Sequence, residues 1–398
     1  MTLLSKLISG TGSPQRRPTQ DGTDTKAKSG MAVAFIGPIA DEGRPARGGF
    51  ESANRRTITL LRQRGIEVME MPYPVAHGPT WVKALTYLQG FLRIATALMR
   101  QSNAFRLVHI TPLRRQFVVP ETLLCRLIRS LKKKLLVDLR AGGLVTSYYQ
   151  RGMLHRKCLA EMISSADIVT AEGLSYLPFL DETLGAQRVV YLPNFVVVPG
   201  KSNEKRFDDL SHSVNITMLG RIAPKKGTEV GIATVRNLCN AGVPARLTII
   251  GTAPSRYMAF LQEQGKDLSI TFTGALDPLE IEARLSQEHI FLFPTRHYGE
   301  GHSNALTEAM AAGLVPICSD HGFNRDVVGE SGYILPADAT ANDYADVLLK
   351  AIRSPGHLKE LSARARSRTE LLFSETHVVP LLMAQYNSLV EPTPTARR

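Results

Sequence analysis

From Met31 onward, short apolar runs alternate with longer stretches whose apolar residues recur at three- and four-residue steps. The short runs, at 32–36, 67–71, 107–110, 135–139, 168–171 and 189–192, read as strands. The spaced patterns around 50–64, 81–100, 117–131 and 150–164 read as helices between them. A polar, patternless stretch at 200–213 interrupts the alternation and is the best domain boundary. The alternation then restarts, with strands expected at 214–219, 246–250, 270–272, 290–293 and 315–318, again separated by helices. A last helical stretch at 374–390 follows the completed second unit and is placed to pack back across the first.

Repeated strand–helix alternation demands parallel sheets covered by helices, so the expected class is α/β with two Rossmann-like domains in series. The expected division is a disordered tail at 1–30, a first domain at 31–199, a linker at 200–213, a second domain at 214–373 and a C-terminal helix and tail at 374–398. Ligands of such sheets bind beyond the carboxyl ends of the strands, which places a site in the cleft between two facing sheets.

Bulk composition changes little: 398 residues with 43% hydrophobic and 21% charged content are ordinary for a globular chain of two or three domains. Cys125, Cys158, Cys239 and Cys318 are scattered with no Cys-x-x-Cys pair, as expected of a reduced, cytoplasmic setting. The first residues lack a signal-peptide pattern. The most apolar segment, 81–99, contains Lys83 and Arg93, each costing about 2.5–3.5 kcal/mol at a bilayer centre. Its Trp81, Leu85, Leu88, Leu92, Ala95 and Met99 instead mark the apolar face of an amphipathic helix.

Charge is distributed unevenly. The chain carries +12, yet from Trp81 to Cys158 fifteen Lys or Arg face only Glu121 and Asp138, leaving +13 in that stretch alone. A solvated basic face is the plain reading; an anionic lipid surface is the sharper one, each basic residue near such a surface adding about 1 kcal/mol. No nucleic-acid motif or interleaved aromatic pattern accompanies the charge, so no nucleic-acid partner is expected.

Two segments carry the candidate chemistry. In Gly220-Arg221-Ile222-Ala223-Pro224-Lys225-Lys226-Gly227, a turn after a strand aims a planar guanidinium and an ammonium at one point, as a diphosphate requires; Lys225 is expected to point to water. Hydrogen bonds to charged groups contribute about 1.5–3 kcal/mol each. In Gly299-Glu300-Gly301-His302-Ser303-Asn304-Ala305-Leu306-Thr307-Glu308, one glutamate precedes a helix and another lies inside it. The amides of Asn304, Ala305 and Leu306 at that helix start suit phosphate oxygens, and Glu308 suits ribose hydroxyls. Gly48-Gly49-Phe50-Glu51 opens the first helix and permits close backbone approach to a ligand.

These motifs resemble glycosyltransferase family 4, the retaining sugar transferases of GT-B architecture, over roughly residues 31–373. The resemblance rests on the Gly-Gly-x-Glu loop, Leu192-Pro193-Asn194, the Arg221/Lys226 loop and the Glu-x(7)-Glu of Glu300 and Glu308. It implies that Arg221 and Lys226 hold the donor diphosphate, Glu308 the nucleotide ribose and Glu300 the donor sugar. It further implies a retaining reaction that needs no metal or other cofactor, with a phosphate oxygen helping to deprotonate the acceptor. The nearest subgroup builds bacterial surface polysaccharides. The expected partners are therefore a nucleotide-sugar donor, a glycan or polyprenyl-diphosphate-linked acceptor, and the cytoplasmic face of the plasma membrane, met through the basic 81–158 stretch.

The chain departs from that pattern in three places. Where the family often has His-Gly-Gly, it has Arg140-Ala141-Gly142-Gly143, and where His-x-His is found it has His109-Ile110-Thr111. The family's Gly-Asp-Gly-Pro near the base is Gly251-Thr252-Ala253-Pro254, with Gly251 kept as a donor-site candidate. His109 is the first-domain catalytic candidate, Arg140 the alternative, and a structural histidine at a strand end the plain reading. Asp208-Asp209 has no partner ligands and is not a metal site. Other readings of the same architecture are a sugar-nucleotide epimerase, a phosphorylase, or a non-catalytic nucleotide-sugar binder.

Overall fold

The computed structural model describes residues 30–41, 48–140, 142–200, 207, 210 and 213–391. The expected tail before Gly30, Ala141, Asp208 and Asp209, and most of the 200–213 boundary lie outside the described residues.

The first sheet contains β1 (Ala32–Gly37), β2 (Glu67–Pro72), β3 (Leu107–Ile110), β4 (Lys134–Leu139), β5 (Ile168–Ala171) and β6 (Val189–Tyr191), all parallel, in the order β2-β1-β3-β4-β5-β6. Its helices are α1 (Gly49–Gln63), α2 (Thr80–Arg100), α3 (Val118–Ser130), α4 (Leu144–Gln150) and α5 (Met153–Ser164). The second sheet contains β7 (Val214–Leu219), β8 (Ala245–Ile250), β9 (Ile270–Gly274), β10 (Ile290–Phe293), β11 (Val315–Ser319) and β12 (Tyr333–Leu335), in the order β12-β11-β10-β7-β8-β9. Around it lie α6 (Thr228–Asn240), α7 (Ser255–Gln264), α8 (Pro278–Leu285), α9 (Asn304–Ala311), α10 (Asn324–Val328), α11 (Ala341–Ile352) and α12 (Pro355–Leu372). The chain ends in α13 (Glu375–Val390).

Central strands such as β3 and β10 are buried on both faces, which is why they read as continuous apolar runs rather than alternating ones. One face of the first sheet packs Val33, Phe35 and Leu136 against Ile58 and Leu61 of α1 and Val378, Leu382 and Tyr386 of α13. Full burial of such side chains contributes about 1.5–3 kcal/mol each, so α13 is part of the first domain's core although it follows the second in sequence. The opposite face packs Ile36, Val108 and Val137 with Phe91, Leu98, Leu124 and Leu159 from α2, α3 and α5. The crossing back to the first domain is pinned where the Val196 amide donates to Phe373 (2.9 Å) and the Glu375 amide to Val196 (3.1 Å).

Two expectations need correction. A sixth strand, β12, completes the second sheet; at three residues between Gly332 and Pro336 it was too short to show a period. The helix expected over 150–164 begins at Met153, and a separate helix, α4, precedes Gly152. The amphipathic helix expected at 81–99 is present as α2, and its apolar stripe faces out: Trp81, Leu85, Leu88, Leu92 and Met99 are exposed, while a second arc, Phe91, Ile94 and Leu98, anchors the helix.

The strand orders locate the site. The sequence direction of the order reverses between β1 and β3 in the first sheet and between β7 and β10 in the second. At these switch points the connections leave to opposite faces and open a crevice at the carboxyl ends of the strands. The segments following β1, β3, β7 and β10 are therefore the ones placed to bind a ligand.

Candidate active site

After β7 the chain passes through Gly220 and Arg221 into a single tight turn, Pro224–Lys226, which Gly227 closes at φ 77° before α6 begins. A Cβ on Gly227 would lie 2.3 Å from the Pro294 carbonyl oxygen, so glycine brings this loop against the segment after β10. Lys226 Nζ is thereby carried to 2.6 Å from Glu300 Oε2, and the Thr295 hydroxyl donates to that same oxygen at 2.8 Å. Glu300 is buried and holds two donors before any ligand is considered. Lys225 points outward and is exposed, while its carbonyl accepts from the Arg296 amide. Arg221 is exposed beside an open hollow of about 520 Å³, shared with Ile222, Thr252, Pro254 and Tyr257. Gly251 shapes that hollow: at φ 143°, its Cβ position lies 1.9 Å from the Gly220 carbonyl oxygen, so no side chain fits.

The helix carrying the second glutamate starts where expected. Ser303 caps α9, its hydroxyl accepting from the Leu306 amide at 3.4 Å. That cap corrects one expectation: the Leu306 amide is turned to Ser303, and the amides of Asn304 and Ala305 form the open end. His302, just before the cap, is sealed inside, with its Nε2 2.9 Å from Thr307 Oγ1; burial drives its pKa down to about 3. Asn194 of the Leu-Pro-Asn motif donates to the His302 carbonyl at 2.8 Å and so fixes the loop from the first domain.

The first domain closes the other side. Gly48 and Gly49 open α1 against α9, where Asn304 Nδ2 donates to the Gly49 carbonyl at 3.2 Å. Two turns along α1, Arg56 Nη2 lies 2.9 Å from Glu308 Oε1 and its Nη1 donates to the Phe195 carbonyl at 2.5 Å. Gly142 meets the Glu300 loop so closely that a Cβ would fall 2.0 Å from the Glu300 carbonyl oxygen. Arg56, Thr295 and Gly142 were not singled out as site residues from sequence. Arg56 could have been found only by knowing that α1 faces α9, a contact 252 residues apart in the chain.

His109 is not in the cleft. It is fully buried under the first sheet, with Nδ1 2.6 Å from the Tyr386 hydroxyl and Nε2 3.2 Å from Asp138 Oδ2. Burial lowers its pKa and keeps it neutral, so Nε2 donates to Asp138 and the Tyr386 hydroxyl donates to Nδ1. Burial pushes the Asp138 carboxyl up, but Arg140 and His109 outweigh it and hold it well below the usual carboxylate range. Arg140, the alternative, is committed to Asp138 through Nε at 2.7 Å, although its guanidinium borders the cleft. The catalytic expectation for His109 therefore falls: a fully paired, sealed imidazole joins α13 to the sheet.

Lys226 and Glu300 thus meet beyond β7 and β10, Arg221 lies earlier in the loop that carries Lys226, and Glu308 lies on the helix after β10, with Gly49 against Asn304 at that helix's start. Residues 202–368 match the family described as Glycosyl transferases group 1. That match places the likeness in the second half of the chain, where the candidate site lies. Among curated relatives, the amylovoran biosynthesis glycosyltransferase AmsK of Erwinia amylovora is 28% identical over 187 residues, 45% of this chain and 46% of that one. A GDP-mannose-dependent alpha-(1-6)-phosphatidylinositol dimannoside mannosyltransferase of Mycobacterium tuberculosis is 30% identical over 156 residues, 38% of each chain. These alignments span less than half the length of the curated relatives.

Solved structures extend the likeness to both halves. Sucrose-phosphate synthase from Thermosynechococcus elongatus superposes with a TM-score of 0.71 at 19% identity, over 90% of this chain and 99% of that one. WaaG, a glycosyltransferase involved in lipopolysaccharide biosynthesis, superposes at 0.62 and 13% identity, over 90% of this chain and 100% of that one. Anabaena Alr3699/HepE, solved in complex with UDP and glucose, does so at 0.65 and 13%, with the same coverage. The fold is GT-B: two Rossmann-like α/β domains facing across a cleft.

Proposed function

We propose that this chain is a retaining glycosyltransferase of family 4 that moves a sugar from a nucleotide-diphospho-sugar to a glycan or lipid-linked saccharide, in the assembly of a surface polysaccharide. The observation that carries this reading is the contact of Lys226 with Glu300 across the segments that follow β7 and β10, which flank the switch point, with Arg221 on the first of those segments and the open end of α9 on the second. In this reading the hollow beside Arg221 and Tyr257 takes the base, and Glu308 takes the ribose hydroxyls. The amides of Asn304 and Ala305, with Lys226 and Arg221, take the diphosphate, and Glu300 takes the sugar.

The step breaks the bond from the anomeric carbon to the diphosphate oxygen and forms one to the acceptor oxygen on the same face. The acceptor proton passes to the departing phosphate oxygen. Charge growing on that leaving group is offset by Arg221, Lys226 and the helix end, so this chain's fixed cations supply the stabilisation and no metal is called for. With His109 sealed away, the phosphate oxygen is the proton acceptor closest to the reacting centre in this account. Lys226 and Arg56 occupy the two glutamates in this structure, and a bound donor exchanges those partners for its own phosphate and hydroxyl groups. Turnover of a nucleotide-sugar, with the product's anomeric configuration read by NMR, tests the reading; an inverted product or full turnover by Glu308→Ala contradicts it.

The acceptor side is proposed to work on an anionic membrane face. No described helix is long and apolar enough to cross a membrane. The outward α2 stripe instead lies within an arc of roughly 60° at 100° per residue. Exposed Val119 and Leu123 of the contacting helix α3 extend the apolar surface. Both acids of the 81–158 stretch are buried, Glu121 completely and Asp138 nearly so; Lys83, Arg93 and Arg100 on α2 are exposed. Apolar side chains flanked on one side by Arg93 and Arg100 suit the headgroup boundary of anionic lipid, where a polyprenyl-linked acceptor would be presented.

A further inference from the structure

Beyond β3 the chain turns across the carboxyl edge of the first sheet at Leu113-Arg114-Arg115. Arg114 adopts φ 65°, a left-handed conformation disfavoured for any residue with a Cβ, so its surroundings must hold it there. They do: the buried Glu121 carboxylate accepts from the Leu113 amide at 2.7 Å and the Arg114 amide at 2.8 Å. Arg114 Nη2 then donates to the Arg140 carbonyl at 2.9 Å, fixing its guanidinium beside the loop after β4.

These arginines border a cavity of about 320 Å³ whose polar lining includes Arg114, Arg115, Arg140, His155 and His297. Its other walls are largely apolar, and among the described residues no carboxylate lines it. The pKa of His155 is lowered by burial and then by Arg151 and Arg114, and that of His297 by burial and then by Lys226, with Glu300 opposing and Arg221 and Arg115 adding smaller effects. The cavity reaches the Glu300 loop directly: Gly142 and Gly143 form one wall, Gly299 another, and the Gly142 amide donates to the Gly299 carbonyl at 3.3 Å. Arg115 stands at its rim, exposed, with its guanidinium 5.5 Å from the Tyr298 ring centre.

Arg140 is already ion-paired to Asp138, but Arg114, held in place, and Arg115, at the rim, border a half-apolar cavity with no carboxylate among its described lining residues, beside the residue proposed to hold the transferred sugar; two such guanidiniums match a planar or tetrahedral anion better than they match neutral hydroxyls. We propose that this cavity seats a carboxylate or phosphate carried by one of the sugar substrates, so that the chain handles an acidic saccharide. The proposal rests on the glycosyltransferase reading and adds to it the class of sugar. The anion can arrive on the donor, as a nucleotide-uronate, or on the acceptor, as a uronate or sugar phosphate; Arg114 and Arg115 serve either.

The test is thermal stabilisation at fixed ionic strength, on the wild type, Arg115→Ala and, as a charge-matched control away from the cavity, Arg106→Ala. First, UDP, GDP, ADP and dTDP identify the base. Its hexose and uronate conjugates are then compared, and free glucose, glucuronate and glucose 6-phosphate are titrated with the nucleoside diphosphate saturating. The expected result is that an acidic probe binds more tightly than its neutral counterpart in the wild type and in Arg106→Ala. Arg115→Ala is expected to lose about tenfold of that affinity, the weight of one charge-assisted hydrogen bond. Preference among the conjugates assigns the anion to the donor, and preference among the free sugars assigns it to the acceptor. Equal binding of acidic and neutral probes overturns the proposal while nucleotide binding leaves the donor site standing. So does an acid preference that survives Arg115→Ala unchanged. Failure of every nucleotide to bind removes both readings together.

Discussion

Arg56 of the first domain lies 2.9 Å from Glu308 of the second, across the cleft and 252 residues away in sequence. The same guanidinium donates to the Phe195 carbonyl, close to where the chain crosses between domains. Both side chains of the pair are about a quarter exposed, so the pair contributes only about 0–1 kcal/mol to stability. Its larger effect is on ligand binding, because a ribose that needs Glu308 must displace or share it. Arg56→Ala is expected to leave the melting temperature nearly unchanged and to tighten nucleoside diphosphate binding by about two- to fivefold, within the worth of such a pair. Calorimetric titration of both proteins checks this; weaker binding in the variant would show that Arg56 stays with the nucleotide.

Lys226 has a different balance. Its partner Glu300 is buried and also accepts from Thr295, so the lysine is held in position before a diphosphate arrives. Lys226→Ala removes a charge-assisted contact worth about 1.5–3 kcal/mol and is expected to weaken donor binding about ten- to a hundredfold. Lys225→Ala, one residue away but exposed, is expected to change it little. Equal losses in both variants would reduce the loop to a general positive patch.

His109 gives a test that separates structure from catalysis. His109→Gln disturbs a buried network with Tyr386 and Asp138 and is expected to cost about 1–3 kcal/mol of stability. Turnover per folded molecule should remain close to wild type. Tyr386→Phe should couple to it in a double-mutant cycle of unfolding free energies, since the two groups are 2.6 Å apart. A large fall in kcat with intact folding would return His109 to the reaction.

His302 links stability to acidity. Its folded pKa of about 3 lies below the ordinary 6.5, so the unfolded chain binds the proton more readily. Its contribution is complete above pH 6.5 and is lost as pH falls toward 3. Between pH 7 and pH 5 the wild type should therefore lose about 2 kcal/mol more than His302→Gln, which removes the titrating group. Denaturant unfolding of both at the two pH values measures the difference, and parallel losses would contradict it.

The outward stripe of α2 predicts lipid binding. The wild type should sediment with vesicles containing phosphatidylglycerol more than with phosphatidylcholine alone. Leu88→Ser with Leu92→Ser should abolish that without lowering the melting temperature, since both leucines are more than half exposed. A gel-filtration shift from dimer to monomer in the variant, with vesicle binding intact, would assign the stripe to self-association instead.

Much of the fold was legible because both sheets are buried on two faces, so their strands stand out as continuous apolar runs between helical periods. Residues 107–110, 168–171, 214–219 and 290–293 are strands at the expected positions. The orientation of α2 was not legible: it carries two apolar arcs, and only packing shows that Phe91, Ile94 and Leu98 face the core. At the site, Arg221, Lys226, Glu300 and Glu308 could be chosen because each lies in a short segment with its own chemical logic. Arg56, and the Tyr386 that silences His109, could not, because each acts through a partner more than 250 residues away in sequence.

The central claim is that the second domain holds a nucleotide-diphospho-sugar through these four side chains. Thermal stabilisation by a panel of UDP-, GDP-, ADP- and dTDP-sugars tests it most directly, since a ligand bound only to the native state raises stability by mass action. A selective rise with one base is expected, lost in both Lys226→Ala and Glu308→Ala. No rise with any of them at millimolar ligand, or an equal rise in both variants, would contradict it.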